Sequence, residues 1–167
     1  MMRILGLLAA GLLLLAACSK QDAVPQAQEP DANAVAYFCH MTLAEHEGPK
    51  AQAYMRGRDK PYWFASASEA FVFLQTEVFQ PNELLALYVN DMSRGTWEHP
   101  APGAWVEIHK AVFVLDSSKT ASMGGKEAVP FASEAAAEAF VKQYGGTIVD
   151  FAAAAKALAV DQPTSGS

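Results

Sequence analysis

The sequence predicts an α+β fold made of two strand-strand-helix units. Three observations predict it. β-favouring runs alternate with Ala- and Phe-rich helical patterns, no glycine-rich dinucleotide turn accompanies them, and one short pattern occurs twice. Phe64-Ala65-Ser66 followed by Glu69-Ala70-Phe71-Val72 returns as Phe131-Ala132-Ser133 followed by Glu138-Ala139-Phe140-Val141, with a spacer two residues longer. An internal duplication would account for the repeat.

The elements follow in order. Arg3, the apolar run from Ile4 to Leu15 and the ending Leu15-Ala16-Ala17-Cys18 have the layout of an export signal over residues 1–17. The run is shorter than the roughly 20 apolar residues a spanning helix needs. Residues 18–34 are rich in Gln, Ala, Asp and Pro without hydrophobic periodicity, and read as a flexible tether. A single domain is expected over 35–160, and 161–167 is a polar tail. Ala51 to Arg56 and Tyr62 to Ala65 read as strands joined by the turn-rich Gly57-Arg58-Asp59-Lys60-Pro61. Ser66 caps a helix whose apolar face is Ala70, Phe71, Phe73 and Leu74, with Glu69 completing a capping box. Leu84 to Asn90 and Ala104 to Leu115 are β-favouring runs separated by Pro100-Ala101-Pro102-Gly103. A second helix starts at Ser133 and stops at Gly145-Gly146. Thr147 to Phe151 reads as a short strand and Ala152 to Ala159 as a last helix.

Composition narrows the function. Without residues 1–17 the chain has 150 residues, enough to bury roughly 70% of its unfolded surface. Losing Arg3 leaves 11 basic residues against 18 acidic ones, a formal charge of −7. No basic stripe interleaved with aromatics appears, so nucleic acid is not an expected partner.

Chemistry concentrates in Cys39-His40-Met41. On a strand, residues i and i+2 share a face roughly 6.5–7 Å apart, close enough for a thiolate and a flexible thioether to meet one ion. Such a soft pair selects Cu(I) over magnesium, calcium or manganese. Zinc more often takes four Cys, His or carboxylate ligands. A third donor would close the site: Met92 at a strand end, Met123 in a mobile-looking loop, or a histidine. Met55 reads as core filler, His46, His99 and His109 as scattered, and His109 as a structural histidine. A cysteine-dependent enzyme lacks a local triad signature, and c-type haem attachment lacks Cys-x-x-Cys-His. The protein is therefore not expected to be an enzyme. The remaining alternative is a lipoprotein interaction module with a structural Cys39, since free cysteine is commonly buried.

The ending Leu15-Ala16-Ala17-Cys18 resembles the lipobox of bacterial lipoproteins. Cys-x-Met, Glu45-His46-Glu47-Gly48-Pro49-Lys50-Ala51-Gln52 and Tyr88-Val89-Asn90-Asp91-Met92-Ser93-Arg94 together resemble the NosL family. Trp97-x-x-Pro100, Met123-Gly124, Ala128-Val129-Pro130-Phe131 and Tyr144-Gly145-Gly146 extend the likeness. The resemblance implies acylation at Cys18 and a membrane-anchored periplasmic Cu(I) metallochaperone. It implies delivery of copper to nitrous oxide reductase and its membrane-associated assembly machinery. Ser19 after the acylated cysteine favours the outer membrane over the inner. The implied ligands are Cys39, Met41 and, as the third, Met92. One departure stands out: the family's Cys-Gly-Met has His40 in the middle here.

Overall fold

The computed structural model describes residues 23–76 and 81–159. The expected signal segment 1–17, Cys18, the domain's last residue Val160 and the tail 161–167 lie outside the described residues. Seven strands and three α-helices are described: β1 (Ala51–Met55), β2 (Tyr62–Phe64), α1 (Ala67–Gln75), β3 (Leu84–Asn90), β4 (Trp105–Glu107), β5 (Val112–Leu115), β6 (Val129–Phe131), α2 (Glu134–Tyr144), β7 (Thr147–Val149) and α3 (Phe151–Ala157). They make two antiparallel sheets, ordered β2-β1-β3-β4 and β6-β5-β7. This is an α+β architecture with two units.

The units share a wiring. In each, a central strand pairs with the next strand, a helix follows, and a third strand returns to the free side of the first. The repeated sequence pattern falls at matching places. Phe64 and Phe131 end β2 and β6, and Ser66 and Ser133 cap α1 and α2 by accepting from Glu69 N–H and Ala136 N–H. Glu69 reaches back to accept from Ala65 N–H at 2.9 Å and from the Ser66 N–H, the second of which completes the capping box.

Two expectations need correction. The run Ala104 to Leu115 is two strands in different sheets, split by a 3-10 turn at Ile108–Lys110. Ile108 and Ala111 stay buried through the turn, so apolarity alone makes the run look continuous. Glu107 caps the turn by accepting from His109 N–H. Phe151 begins α3 rather than ending β7, because Asp150 caps that helix through Ala153 N–H at 2.8 Å.

The sheets close over a shared core. Phe64, Phe71, Phe113, Leu87 and Ile108 are all fully buried there, and Phe71 meets Phe113 edge-on at 5.1 Å. Each such side chain contributes on the order of 1.5–3 kcal/mol. The other face of β1 is covered too. Gln52 and Tyr54 are 0% and 3% exposed although they point away from α1's side of the sheet. Their cover is the segment expected to be a loose tether. Pro25 C=O accepts from Tyr88 hydroxyl (2.7 Å), Gln28 exchanges two 2.9 Å bonds with the Gln52 amide, and Glu29 accepts from Gly103 N–H and Trp105 Nε1.

One buried carboxylate ties the units together. Glu127 is 2% exposed, and its Oε1 accepts from Ser68 N–H and Ala128 N–H, with Ser68 hydroxyl at 3.0 Å. Its Oε2 has no hydrogen-bond partner among the described residues. Burial pushes its pKa up to about 8, against the pull of these bonds and of Lys50. Glu127 therefore holds its proton near neutrality. Its folded pKa lies above the unfolded value, so its contribution to stability is full below about 4.5 and lost as pH rises toward about 8. Thermal melts of wild type and Glu127→Gln across that window should diverge, the wild type alone losing Tm through this group as pH rises. Parallel curves would show that Glu127 ionises normally.

Candidate metal site

The segment around Cys39 folds because its ends pair. Leu43 N–H donates to Ala34 C=O (2.7 Å), Val35 bridges Thr42, and Ala36 N–H donates to Met41 C=O (2.9 Å). Tyr37 N–H donates to Trp63 C=O at 2.7 Å, fastening the loop to the edge strand β2. Tyr37's ring packs edge-on against Tyr62, Phe64 and Phe73. Cys39-His40-Met41 is thus the tip of a pinned loop and not a strand segment. Strand spacing does not set the distance between the two sulfurs.

His40 has φ +57°, in the left-handed region. A side chain there costs roughly 1–2 kcal/mol that glycine avoids. The resemblance implies a glycine at this position, and the backbone conformation is one that glycine adopts without strain. Histidine is among the residues that tolerate it best.

Cys39 is half-buried against the small cluster of Ala34, Ala36, Leu43 and Ala65, which Trp63 also covers, while Met41 is 41% exposed. A 3-10 turn at Leu43–Glu45 then folds the chain back, with His46 N–H donating to Leu43 C=O. The turn brings His46 Nε2 to 3.7 Å from Cys39 Sγ. His46 Nδ1 hydrogen-bonds the hydroxyl of Ser122 in a distant loop. With the proton on Nδ1 and donated to Ser122, Nε2 presents its lone pair toward the thiol. Burial lowers the His46 pKa, the Lys50 ammonium lowers it further, and Glu45 opposes both. The net shift favours the neutral ring, the state a metal ligand needs.

Two contacts hold the Glu45–Lys50 segment in place. Gly48 N–H donates to Trp97 C=O (2.7 Å), and a Cβ on Gly48 would meet the Trp97 ring at 2.9 Å, so only glycine fits. Lys50, 8% exposed, donates from Nζ to Gly48 C=O at 2.6 Å, and burial drops its pKa to about 8.

The other expected ligands are placed as follows. Met123 is 58% exposed and follows Ser122, His46's partner. Met92 lies two residues beyond β3, donates its N–H to Pro130 C=O, and packs with Trp97 against Val114, Val129 and Phe131. That is a different cluster from the one holding Cys39, linked to the site through Trp97 and Gly48. His109 pairs with Glu107 at 2.6 Å and stacks near Phe151. Sequence reading passed over His46 and Ser122. The seven residues from Cys39 to His46 carry a signal only once the intervening turn is known.

Among the described residues, no three or more His, Cys, Asp and Glu gather into a metal cluster. The available donors are one thiol, one neutral imidazole and thioethers. That set suits a soft monovalent ion better than a hard one.

Comparison with known proteins agrees with the geometry. A profile of the NosL family matches residues 27–159. The copper-binding lipoprotein NosL of Achromobacter cycloclastes is 37% identical over 167 residues, covering 96% of this chain and 84% of that protein. The copper-binding lipoprotein NosL of Stutzerimonas stutzeri is 35% identical over 144 residues, covering 82% of this chain and 72% of its own length. The crystal structure of the copper chaperone NosL from Shewanella denitrificans superposes with a TM-score of 0.70 at 33% identity, covering 76% of this chain and 93% of that one. These names belong to copper-binding proteins rather than to enzymes.

The backbone at position 40 yields a direct test. His40→Gly should raise unfolding free energy by roughly 0.5–1 kcal/mol, the relieved strain less glycine's added unfolded entropy. Urea melts of both proteins measure it. A net loss would mean that the histidine side chain makes contacts worth more than the strain.

Proposed function

The chain belongs to the NosL family, and on that premise we propose that it is a lipid-anchored periplasmic carrier of Cu(I). It hands copper to the assembly of the nitrous oxide reductase copper centres, directly or through membrane-associated machinery. Acyl chains on Cys18 anchor it, with the outer membrane favoured over the inner. Several chains hold firmly where one binds reversibly.

One observation carries the reading: a half-buried thiol beside an imidazole, with the exposed thioether of Met41 two residues on and that of Met123 next to His46's partner Ser122. Binding exchanges the Cys39 thiol proton for Cu(I), forming the S–Cu bond and releasing H⁺. Met41 adds thioether sulfur from the same loop. Met92 is the third donor that family resemblance favours, and His46 is the one the contacts favour. Release is ligand exchange, in which an incoming soft donor joins the ion before Cys39 or Met41 lets go. No redox step is needed. The exposed Val35, Phe38 and Met41 beside Cys39 offer a partner a mainly apolar contact.

The packing of Cys39 against Ala36 and Leu43 favours a second reading, an interaction module with a structural cysteine. Copper stoichiometry separates the two. The chaperone holds about one Cu(I) per chain, and the module holds none.

Competition titration against a chromophoric Cu(I) chelator should show Cys39→Ala abolishing tight binding. Met41→Leu should weaken it about tenfold, or about 1.4 kcal/mol. Affinity should fall as pH drops, because proton and copper compete for sulfur. X-ray absorption then counts nitrogen against sulfur neighbours. An edge altered by His46→Ala and unmoved by Met92→Leu identifies the imidazole as third donor, and the reverse identifies Met92. Unchanged affinity in Cys39→Ala would end the copper reading.

A further inference from the structure

Between the proposed lipid and the copper loop, residues 25–31 are bolted down. Pro25 is held by Tyr88, Gln28 by Gln52, Glu29 by Gly103 and Trp105, and Asp31 lies 3.8 Å from Lys60. These contacts step across the outer face of the first sheet from β3 to β1 and β4. Together with neighbouring side chains they leave Gln52 fully buried. The strap then runs straight into the pinned loop, since Ala34 and Ala36 take part in the pairing that closes around Cys39.

We infer that residues 25–31 are a standoff strap, which sets how far the copper loop can travel from the membrane and so restricts its partners to proteins that present an acceptor site at that surface. The inference rests on the lipid anchor at Cys18. From Cys18 to Pro25 the chain advances seven residues, at most about 25 Å even when fully extended. Were the strap loose, the free chain would run 16 residues to Ala34, at most about 55 Å. The strap therefore halves the length of free chain between the anchor and the folded domain. A composition that reads as a swinging arm yields a short leash, because its backbone amides and carbonyls find partners on the sheet.

The test uses the acylated full chain on phosphatidylcholine vesicles carrying dansyl-labelled headgroups. Energy transfer from the three native tryptophans to dansyl reports height above the bilayer. Wild type should transfer strongly. A variant combining Glu29→Ala, Gln52→Leu and Tyr88→Phe should lose at least about twofold of that transfer, as should a flexible Gly-Ser insertion of about 12 residues between Val24 and Pro25. Equal transfer by wild type and a folded triple variant overturns the strap. Hydrogen exchange on the wild type covers the case in which the triple variant does not fold. The Gln28 and Gly103 amides should be protected, and exchange at the free rate overturns the inference. Failure of the wild type to stay on vesicles is a different result: it removes the lipid anchor, and the leash with it.

Discussion

The loop that carries Cys39 is fastened to the sheet at Tyr37, whose N–H donates to Trp63 C=O. Without that fastening, residues 34–43 would be a small hairpin closed by a few bonds of its own, and short isolated hairpins are marginal in water. The bond attaches that hairpin to an edge strand already paired with β1. Tyr37's ring adds a wedge of edge-to-face contacts with Tyr62, Phe64 and Phe73. Such pairs contribute about 0.5–1.5 kcal/mol each beyond their buried area. The sulfur of Cys39 consequently rides on a sheet, although its own residues form a turn.

A carrier of a tightly bound ion must hold and also release. Under the proposed function, the candidate donors would divide these two demands. Cys39 and His46 are set from behind, by the small apolar cluster and by the Ser122 hydroxyl, so their geometry is preorganised. Met41 and Met123 are exposed, and a thioether on three rotatable bonds moves easily. In the proposed carrier, an incoming ligand would meet the exposed thioethers before the fixed pair.

Buried titratable groups flank this arrangement. Glu127 anchors the loop that supplies Ser122 to the first turn of α1, and Lys50 closes the turn that supplies His46. Burial moves the two pKa values toward each other, to about 8 in both cases. Each side of the site is thus fastened by a polar group that solvent does not reach. Loss of either partner would leave an unsatisfied group in the interior, which costs more than a surface contact returns.

The sequence by itself determined the α+β class, the two units and their capped helices, because those follow from local periodicity and from side chains three residues apart. Ser66 with Glu69, and Ser133 before its alanines, act within a single turn of chain. The Cys-x-Met pair stands out in the sequence for a similar reason, since donor chemistry is a property of residue type. Tertiary structure alone decided the rest. The run through Ile108 splits between sheets because both halves are equally apolar and only packing distinguishes them. The strap at 25–31 looks disordered because its partners Gln52, Tyr88 and Trp105 lie at least 24 residues away. His46 joins Cys39 through a turn and through Ser122, 76 residues distant. Contacts of that range leave no mark in local composition, since the energy that forms them belongs to the closed chain.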